Sequence, residues 1–336
     1  MYSHIDDLPD EERDSSRVAP LNSDLSNNSD FDLVAYVKNS PIAFGQVLSL
    51  LITGTGICST LLVYNGAKFP AFQSLLNYLL LSLYFFRFGY TGTLNWYFYL
   101  GCAFVDVEAN FLVVLAYQYT SIAHVMLIDC FSIPCAMFLS HYFFQTDYSF
   151  AHVVGVFICL LGIACIVVTD IHPESDAKIS HNDALVGDVL CLIGATLYAI
   201  SNVCQQYAVK IHSRFEYLGL LGIMSLPISA IQVSILEIPS ITRTNWSNPS
   251  IILLLIGFTT CLFTMYTSTT SFLQKRDVAL LNLSLLTSDV YSVLFACLAF
   301  GFELSILYLA AFLFIITGIM IYSASPSVSF QIVPVV

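Results

Sequence analysis

Carboxylates and amides set inside apolar stretches are the residues of this sequence with chemistry to do. Asp106, Glu108, Asn110, Tyr117 and Gln118 stand in one such stretch, and Asp129 with Pro134 in the next. Asn202, Gln205 and Gln206 interrupt a third, and Asn282, Thr287, Asp289 and Tyr291 a fourth. An ionisable group in hydrocarbon costs at least about 2.5–3.5 kcal/mol, so each needs a compensating role. It can accept hydrogen bonds from a solute, carry a proton, or bind a neighbouring helix. No Lys or Arg lies deep in these stretches. A pyrophosphate group would call for buried cations or helix N-termini. Carboxylates suit a neutral or cationic solute, or proton coupling, although Lys210, Arg214, Lys275 and Arg276 can reach inward from the edge.

Helical spacing sorts these groups onto faces. Asp106, Asn110 and Tyr117 share one face at i, i+4, i+11, and Glu108 lies about 200° away from Asp106, so two faces of that helix are polar. Asn282 and Asp289 share a face, as do Thr287 and Tyr291. Tyr198 stands one turn before Asn202. Pro134 lacks the N–H that would bond the carbonyl of Cys130, which predicts a kink beside Asp129. Each polar strip reads either as the wall of a wetted cavity or as a helix–helix hydrogen-bond seam. His124 and Asp188 sit near the ends of their stretches, at the interface.

The elements that must position these residues are membrane helices. Of the 336 residues, 57% are hydrophobic and 10% charged, against about 25% charged in soluble domains. Ten apolar runs of membrane-spanning length fall near 42–64, 71–90, 96–117, 121–143, 150–170, 184–208, 217–237, 250–272, 278–300 and 305–323. Continuous runs exclude a β-barrel of short alternating strands. Much of the net charge of −12 sits in residues 1–40, a polar stretch without apolar periodicity that reads as a disordered acidic tail. That stretch lacks the pattern of a cleavable signal peptide. The ten cysteines are dispersed, with no metal-ligand spacing, and read as small apolar helix residues. With no P-loop, no basic stripe for nucleic acid and no clustered His/Asp set, neither an enzyme nor a cofactor or metal site is expected.

Basic residues orient the spans. With the N-terminus in the cytosol, Lys38, Arg87, Lys210, Arg214, Lys275 and Arg276 fall on the cytosolic side and Lys68, Lys178 and Arg243 opposite. Both termini are then cytosolic. The sequon at Asn245 lies in the lumenal or external loop between spans seven and eight, a candidate for glycosylation. A faint repeat supports two halves: shifting spans four and five by 156 residues lays Ala123 on Ala279, Leu127 on Leu283, Ser132 on Ser288, Phe144 on Phe300 and Gly162 on Gly318. Five helices per half is odd, so the halves enter the membrane inverted, the plan of secondary carriers.

Over residues 42–325 the chain resembles solute carrier family 35, subfamily F, of the drug/metabolite transporter superfamily. The resemblance is carried by Asp106-Val107-Glu108-Ala109-Asn110, Ala116-Tyr117-Gln118-Tyr119-Thr120, Leu127-Ile128-Asp129-Cys130-Phe131 with Pro134, Gly187-Asp188, Gly194 through Val203, and Asn282 through Thr287 followed by Asp289 and Tyr291-Ser292. It implies ten helices in two inverted five-helix repeats, alternating access, and a nucleobase- or nucleoside-like solute of the queuine class. Wider relatives are nucleotide-sugar carriers of the Golgi and ER. Members tend to carry a basic residue where Leu115 stands and an acidic pair where Gln205 and Gln206 stand. A paired loss of charge predicts that Leu115 and Gln205 meet between spans three and six.

The expected molecule is an all-α integral membrane protein. Its parts are an acidic tail 1–40, a first repeat 41–170, a loop 171–183, a second repeat 184–324 and a tail 325–336. It is a multi-pass carrier of a small organic solute in an endomembrane (Golgi/ER) or the plasma membrane, and a homodimer is compatible with the sequence. The substrate-binding or gating residues are Asp106, Glu108, Asn110, Tyr117, Gln118, Asp129, Asn202, Gln205, Asn282, Thr287, Asp289 and Tyr291. The alternatives are a nucleotide-sugar antiporter and, in another class, a non-transporting membrane receptor or scaffold.

Overall fold

The computed structural model describes residues 40–92, 94–116, 119, 125, 128–170, 181–300 and 306–325. Both tails, most of the loop after span five, and Tyr117, Gln118 and His124 lie outside the described residues. Every element described is a helix: α1 Pro41–Tyr64, α2 Pro70–Phe88, α3 Trp96–Ala116, α4 Ser132–Phe144, α5 Phe150–Asp170, α6 His181–Ile211, α7 Arg214–Leu236, α8 Ile238–Arg243, α9 Pro249–Lys275, α10 Val278–Leu285, α11 Thr287–Phe300 and α12 Ile306–Ala324. Five of them, α1, α3, α6, α7 and α9, are long and apolar enough to cross a membrane, and α5 and α12 contribute shorter apolar stretches.

Helix starts follow local chemistry. Ser40 accepts from the Ala43 N–H and Pro41 opens α1. Asn248 caps α9 through the Ser250 N–H, with Pro249 in the first turn. Asp277 caps α10 through the Leu280 N–H. Helix α2 has Pro70 in place but no side-chain cap from Phe69. Its free N–H groups are taken by a residue 165 positions away: Glu237 accepts from Ala71 N at 2.7 Å and Phe72 N at 2.8 Å.

Helices from the first half of the chain pack mainly on helices of the second: α1 on α9, α2 on α7, α3 on α6, α4 on α10 and α6, and α5 on α12. Two seams are close enough to exclude a side chain. On α7, a β-carbon at Gly219 or Gly222 would collide with the α2 backbone at Phe85 and Ser82. In the α5–α12 seam, a β-carbon at Gly155 would lie 2.8 Å from the Gly318 carbonyl oxygen, and one at Gly162 would lie 2.9 Å from that of Ala311. Small residues let helix backbones approach where lipid supplies no hydrophobic drive.

Two spans are interrupted. The predicted ninth span is two helices, α10 and α11, with Leu286 between them. The Asp289 N–H bonds the Leu286 carbonyl at 3.4 Å, an i−3 contact that tightens the ladder. The fourth shows the same device just before Pro134, where the Ile133 N–H bonds the Cys130 carbonyl at 3.1 Å. The kink expected beside Asp129 is thus a break in the helix. The two i−3 bonds are 156 residues apart, as are Gly155 and Ala311, and Gly162 and Gly318.

Three sequence expectations change. The loop between spans seven and eight contains the short helix α8, and α6 already begins at His181, inside the segment expected as loop. Spans three and six are neighbours, but Leu115 and Gln205 do not meet. The helices run antiparallel, with Gly194 against Ala109 and Val113, Tyr198 against Asn110, Ser201 against Asp106, and Tyr207 against Phe98. In that register Gln205 lies near Cys102, 13 residues or about 20 Å along α3 from Leu115. The changed charges therefore belong to opposite ends of the seam.

Candidate functional site

The two polar faces predicted for α3 are used on different sides. Asp106 is 7% exposed and ties four helices together. Its Oδ2 accepts from the hydroxyls of Tyr78 on α2 at 2.8 Å and Tyr266 on α9 at 2.9 Å, and its Oδ1 from Ser201 on α6 at 3.1 Å. The rings of Tyr78 and Tyr266 meet edge to face, with centroids 6.4 Å apart. One turn on, Asn110 returns its Nδ2 to the Asp106 carbonyl at 2.8 Å, and its Oδ1 accepts from Tyr198 at 2.7 Å. On the other face Glu108 accepts from Gln232 of α7 at 3.2 Å. The carboxylate of Asp106 is thus hydrogen-bonded three times by the protein itself.

A second group surrounds the break between α10 and α11. Asn202 of α6 donates to Asn282 Oδ1 at 3.1 Å. Tyr291 of α11 donates to Gln46 Oε1 on α1 at 2.6 Å. The break exposes backbone carbonyls, and hydroxyls answer them: Ser49 donates to the Ser284 carbonyl at 2.5 Å, Thr287 to the same oxygen at 2.8 Å, and Thr53 to the Ser288 carbonyl at 3.1 Å. Ser49 and Thr53 are four apart, as are their acceptors, so α1 runs parallel to the broken span and rungs it. Gly45 makes room for Ser284.

This second group keeps hydrogen-bonding capacity unfilled. Asn282 Nδ2, Gln46 Nε2, Ser284 Oγ and Asp129 Oδ1 are buried and have no protein partner. A buried polar atom without a partner costs about 1–3 kcal/mol, so such atoms mark places for a ligand or water. Asp129 stands at the break of span four and Asp289 just after the break of span nine, and helices α4 and α10 of these two spans pack on one another.

Of the sequence-predicted residues, Asp106, Asn110 and Glu108 are brought together with protein partners. Asn202 and Asn282 pair with each other, and Thr287 and Tyr291 with the α10–α11 region and α1. Gln205 is buried in the α6 wall near Cys102. Asn245 is exposed in the turn before α9, where its Oδ1 accepts from the Ser247 N–H. Sequence reasoning missed Tyr78, Tyr266, Ser201 and Gln46. Gln46 carried a signal, an amide inside an apolar span. The tyrosines did not, being ordinary membrane residues.

The two ends of the bundle differ. At one, Phe88 stacks on Phe215 at 4.7 Å, Thr91 donates its hydroxyl to Glu216 at 2.6 Å, and Gln206 donates to the Arg276 carbonyl at 3.4 Å. Asp277 lies buried there, taking the Tyr322 hydroxyl at 2.5 Å; burial pushes its carboxyl up from the usual range, opposed by that bond. This end gathers Arg87, Lys210, Arg214, Lys275 and Arg276. At the other, Trp246 stacks on Phe69 at 5.7 Å beside Lys68 and Arg243.

Comparison with known proteins follows from this architecture. The family model described as solute carrier family 35 matches residues 38–324. Solute carrier family 35 member F2 of Mus musculus is 39% identical over 297 residues, spanning 85% of this chain and 79% of that protein. Its Xenopus tropicalis counterpart is 38% identical over 300 residues, spanning 84% and 75%. A protein crystal structure 15% identical superposes with a TM-score of 0.68 over 84% of this chain and 95% of that one, a likeness of fold.

Proposed function

Because the chain belongs to solute carrier family 35, subfamily F, and is therefore a multi-pass membrane solute transporter, we propose that it works by alternating access as ten helices in two inverted five-helix repeats. Three observations support the repeats. The packing pairs α1–α9 and α3–α6 exchange when the halves are swapped, and α2–α7, α4–α10 and α5–α12 map onto themselves. Under a shift of 156 the contact of Gly155 with Gly318 becomes that of Ala311 with Gly162. Under the same shift the i−3 bond of Ile133 becomes that of Asp289.

The solute is a small neutral or cationic organic molecule, nucleobase- or nucleoside-like in the queuine class. The observation that carries this reading is the unfilled hydrogen-bonding capacity at the helix breaks: amide donors at Asn282 and Gln46 and a carboxylate acceptor at Asp129, with no Lys or Arg in those spans. Such a set matches ring nitrogens, carbonyls and amino groups. In the same reading Tyr117, Gln118, Glu108, Gln205, Thr287 and Tyr291 line or gate the path. Asp106 positions α3 among its neighbours. Gathering of basic residues at the Arg87–Arg276 end supports cytosolic termini, with Asn245 at the opposite face as a glycosylation site.

Uptake into proteoliposomes tests this. Saturable uptake of a labelled nucleobase-like solute, competed by its analogues, is expected. Nucleotide-sugar exchange without nucleobase transport would replace this reading with the antiporter one.

A further inference from the structure

Asp129 and Asp289 present a charge imbalance that no described residue resolves. They flank breaks at equivalent positions of spans four and nine, whose helices α4 and α10 pack on one another, and the two carboxylates act on one another and on the Cys130 thiol. Asp129 Oδ1 is buried without a hydrogen-bond partner. The sequence has no Lys or Arg from residue 88 to 177 and none after Arg276, so no permanent cation stands in either span. Among the described residues, the elements packed around the pair add none. Helix α6 brings the Cys191 thiol with Asp188 beyond it, α5 brings Cys159, α1 brings the neutral Gln46, Ser49 and Thr53, and α11 itself carries Tyr291 against Gln46. Two carboxylates that act on one another inside the bundle call for a compensating positive charge. Broken helices near the middle of a carrier are where coupling ions are held, by side chains and freed carbonyls together.

We propose that Asp129 and Asp289 form one site for a monovalent cation, a proton or Na⁺, whose occupancy is coupled to the transport cycle. The proposal deepens the carrier reading and rests on it for the coupling, while the site itself is open to test without any solute. A cation that binds the folded pair and not the unfolded chain stabilises the fold by mass action.

The first measurement is thermal unfolding of the purified full-length protein in detergent, across mildly acidic to mildly basic pH, in sodium or choline chloride, with no solute. Because Glu237, Asp277 and other groups also titrate, the readout is the difference between wild type and each of Asp129→Asn and Asp289→Asn, with Asp188→Asn as control. The expected result is a cation-dependent rise in unfolding temperature that both variants lose and the control keeps. Dependence on pH alone assigns the proton, and dependence on sodium at fixed pH assigns Na⁺. The same pH and sodium response in wild type and both variants would overturn the site, as would stabilisation that appears only with a cationic solute. In proteoliposomes with an imposed proton or sodium gradient, wild type should accumulate solute above equilibrium, and both variants should lose the accumulation. If no solute is transported by any of the proteins, the carrier reading fails while the unfolding result still decides the site.

Discussion

The Tyr266 hydroxyl donates to Asp106 Oδ2 at 2.9 Å, and this bond ties α9 to α3 at the centre of the bundle. With Tyr78 and Ser201 it makes Asp106 the acceptor at the junction of four helices. Each orphaned buried hydroxyl costs about 1–3 kcal/mol. Asp106→Ala, which orphans three, should therefore lower the unfolding temperature far more than Tyr266→Phe, which removes one bond worth about 1 kcal/mol. Thermal unfolding in detergent measures both. An Asp106→Ala protein as stable as wild type but inactive in uptake would move Asp106 from positioning residue to solute contact.

The close seams make a second prediction. Gly222→Ala places a methyl group against the α2 backbone at Ser82, where no flexible side chain can yield. Overpacking of this kind costs about 1–3 kcal/mol or more. Gly101→Ala, with open space around it, should instead gain up to about 1 kcal/mol of helix propensity. Comparing yield of folded protein and unfolding temperature for the pair separates close approach from a general intolerance of the helices to change.

These seams and nodes show where sequence reading ran out. Apolar runs and polar interruptions are one-dimensional patterns, so the apolar helices, the starts of spans one, eight and nine near 42, 250 and 278, and the two polar faces of α3 were legible. Which helix each face meets is a three-dimensional fact. Asp106 read as a cavity residue because Tyr78 and Tyr266, 28 and 160 positions away, gave no hint that they converge on it. Leu115 and Gln205 were expected to touch because their charges change together; spans three and six are indeed neighbours, but the two residues do not meet. The antiparallel register, which separates them, depends on Gly194 seating against Ala109 and Val113. The break at Leu286 had no proline to announce it, since it is stabilised from outside by hydroxyls of α1.

Glu237 predicts a pH effect outside the membrane spans. Burial pushes its carboxyl up from the usual range near 4.5, opposed by the two N–H groups it accepts from α2. With a raised value the folded state holds the proton more tightly than the unfolded chain. Its contribution is therefore present at and below the ordinary glutamate range and lost as pH rises through the raised value. Glu237→Gln should flatten this part of the stability–pH profile. It should also weaken the cap by presenting one acceptor oxygen to two N–H groups, for a loss of about 1 kcal/mol.

Asn282 gives the sharpest separation of folding from transport. Its Oδ1 is used by Asn202 at 3.1 Å, but its Nδ2 is buried and unpartnered. An unpartnered donor adds nothing to the fold, so losing it does not destabilise the protein. Asn282→Asp keeps an acceptor for Asn202 and removes only the free donor, at the expense of another acid near Asp289. Asn282→Ser shortens the group without adding charge. If the donor serves the solute, losing a hydrogen bond of about 1–2 kcal/mol lowers apparent affinity roughly 5- to 30-fold. Both variants should show that loss in concentration-dependent uptake, and Asn282→Ser, which also gives up the bond from Asn202, should lose only about 1 kcal/mol of stability. Asn110→Ala should behave in the opposite way, because both its polar atoms are spent on Asp106 and Tyr198. Removing it costs stability first and transport only through the displaced helix. Were both substitutions to cost stability alike and leave the affinity of the surviving protein unchanged, the polar groups at the helix breaks would be packing devices, and the solute path would lie elsewhere in the bundle.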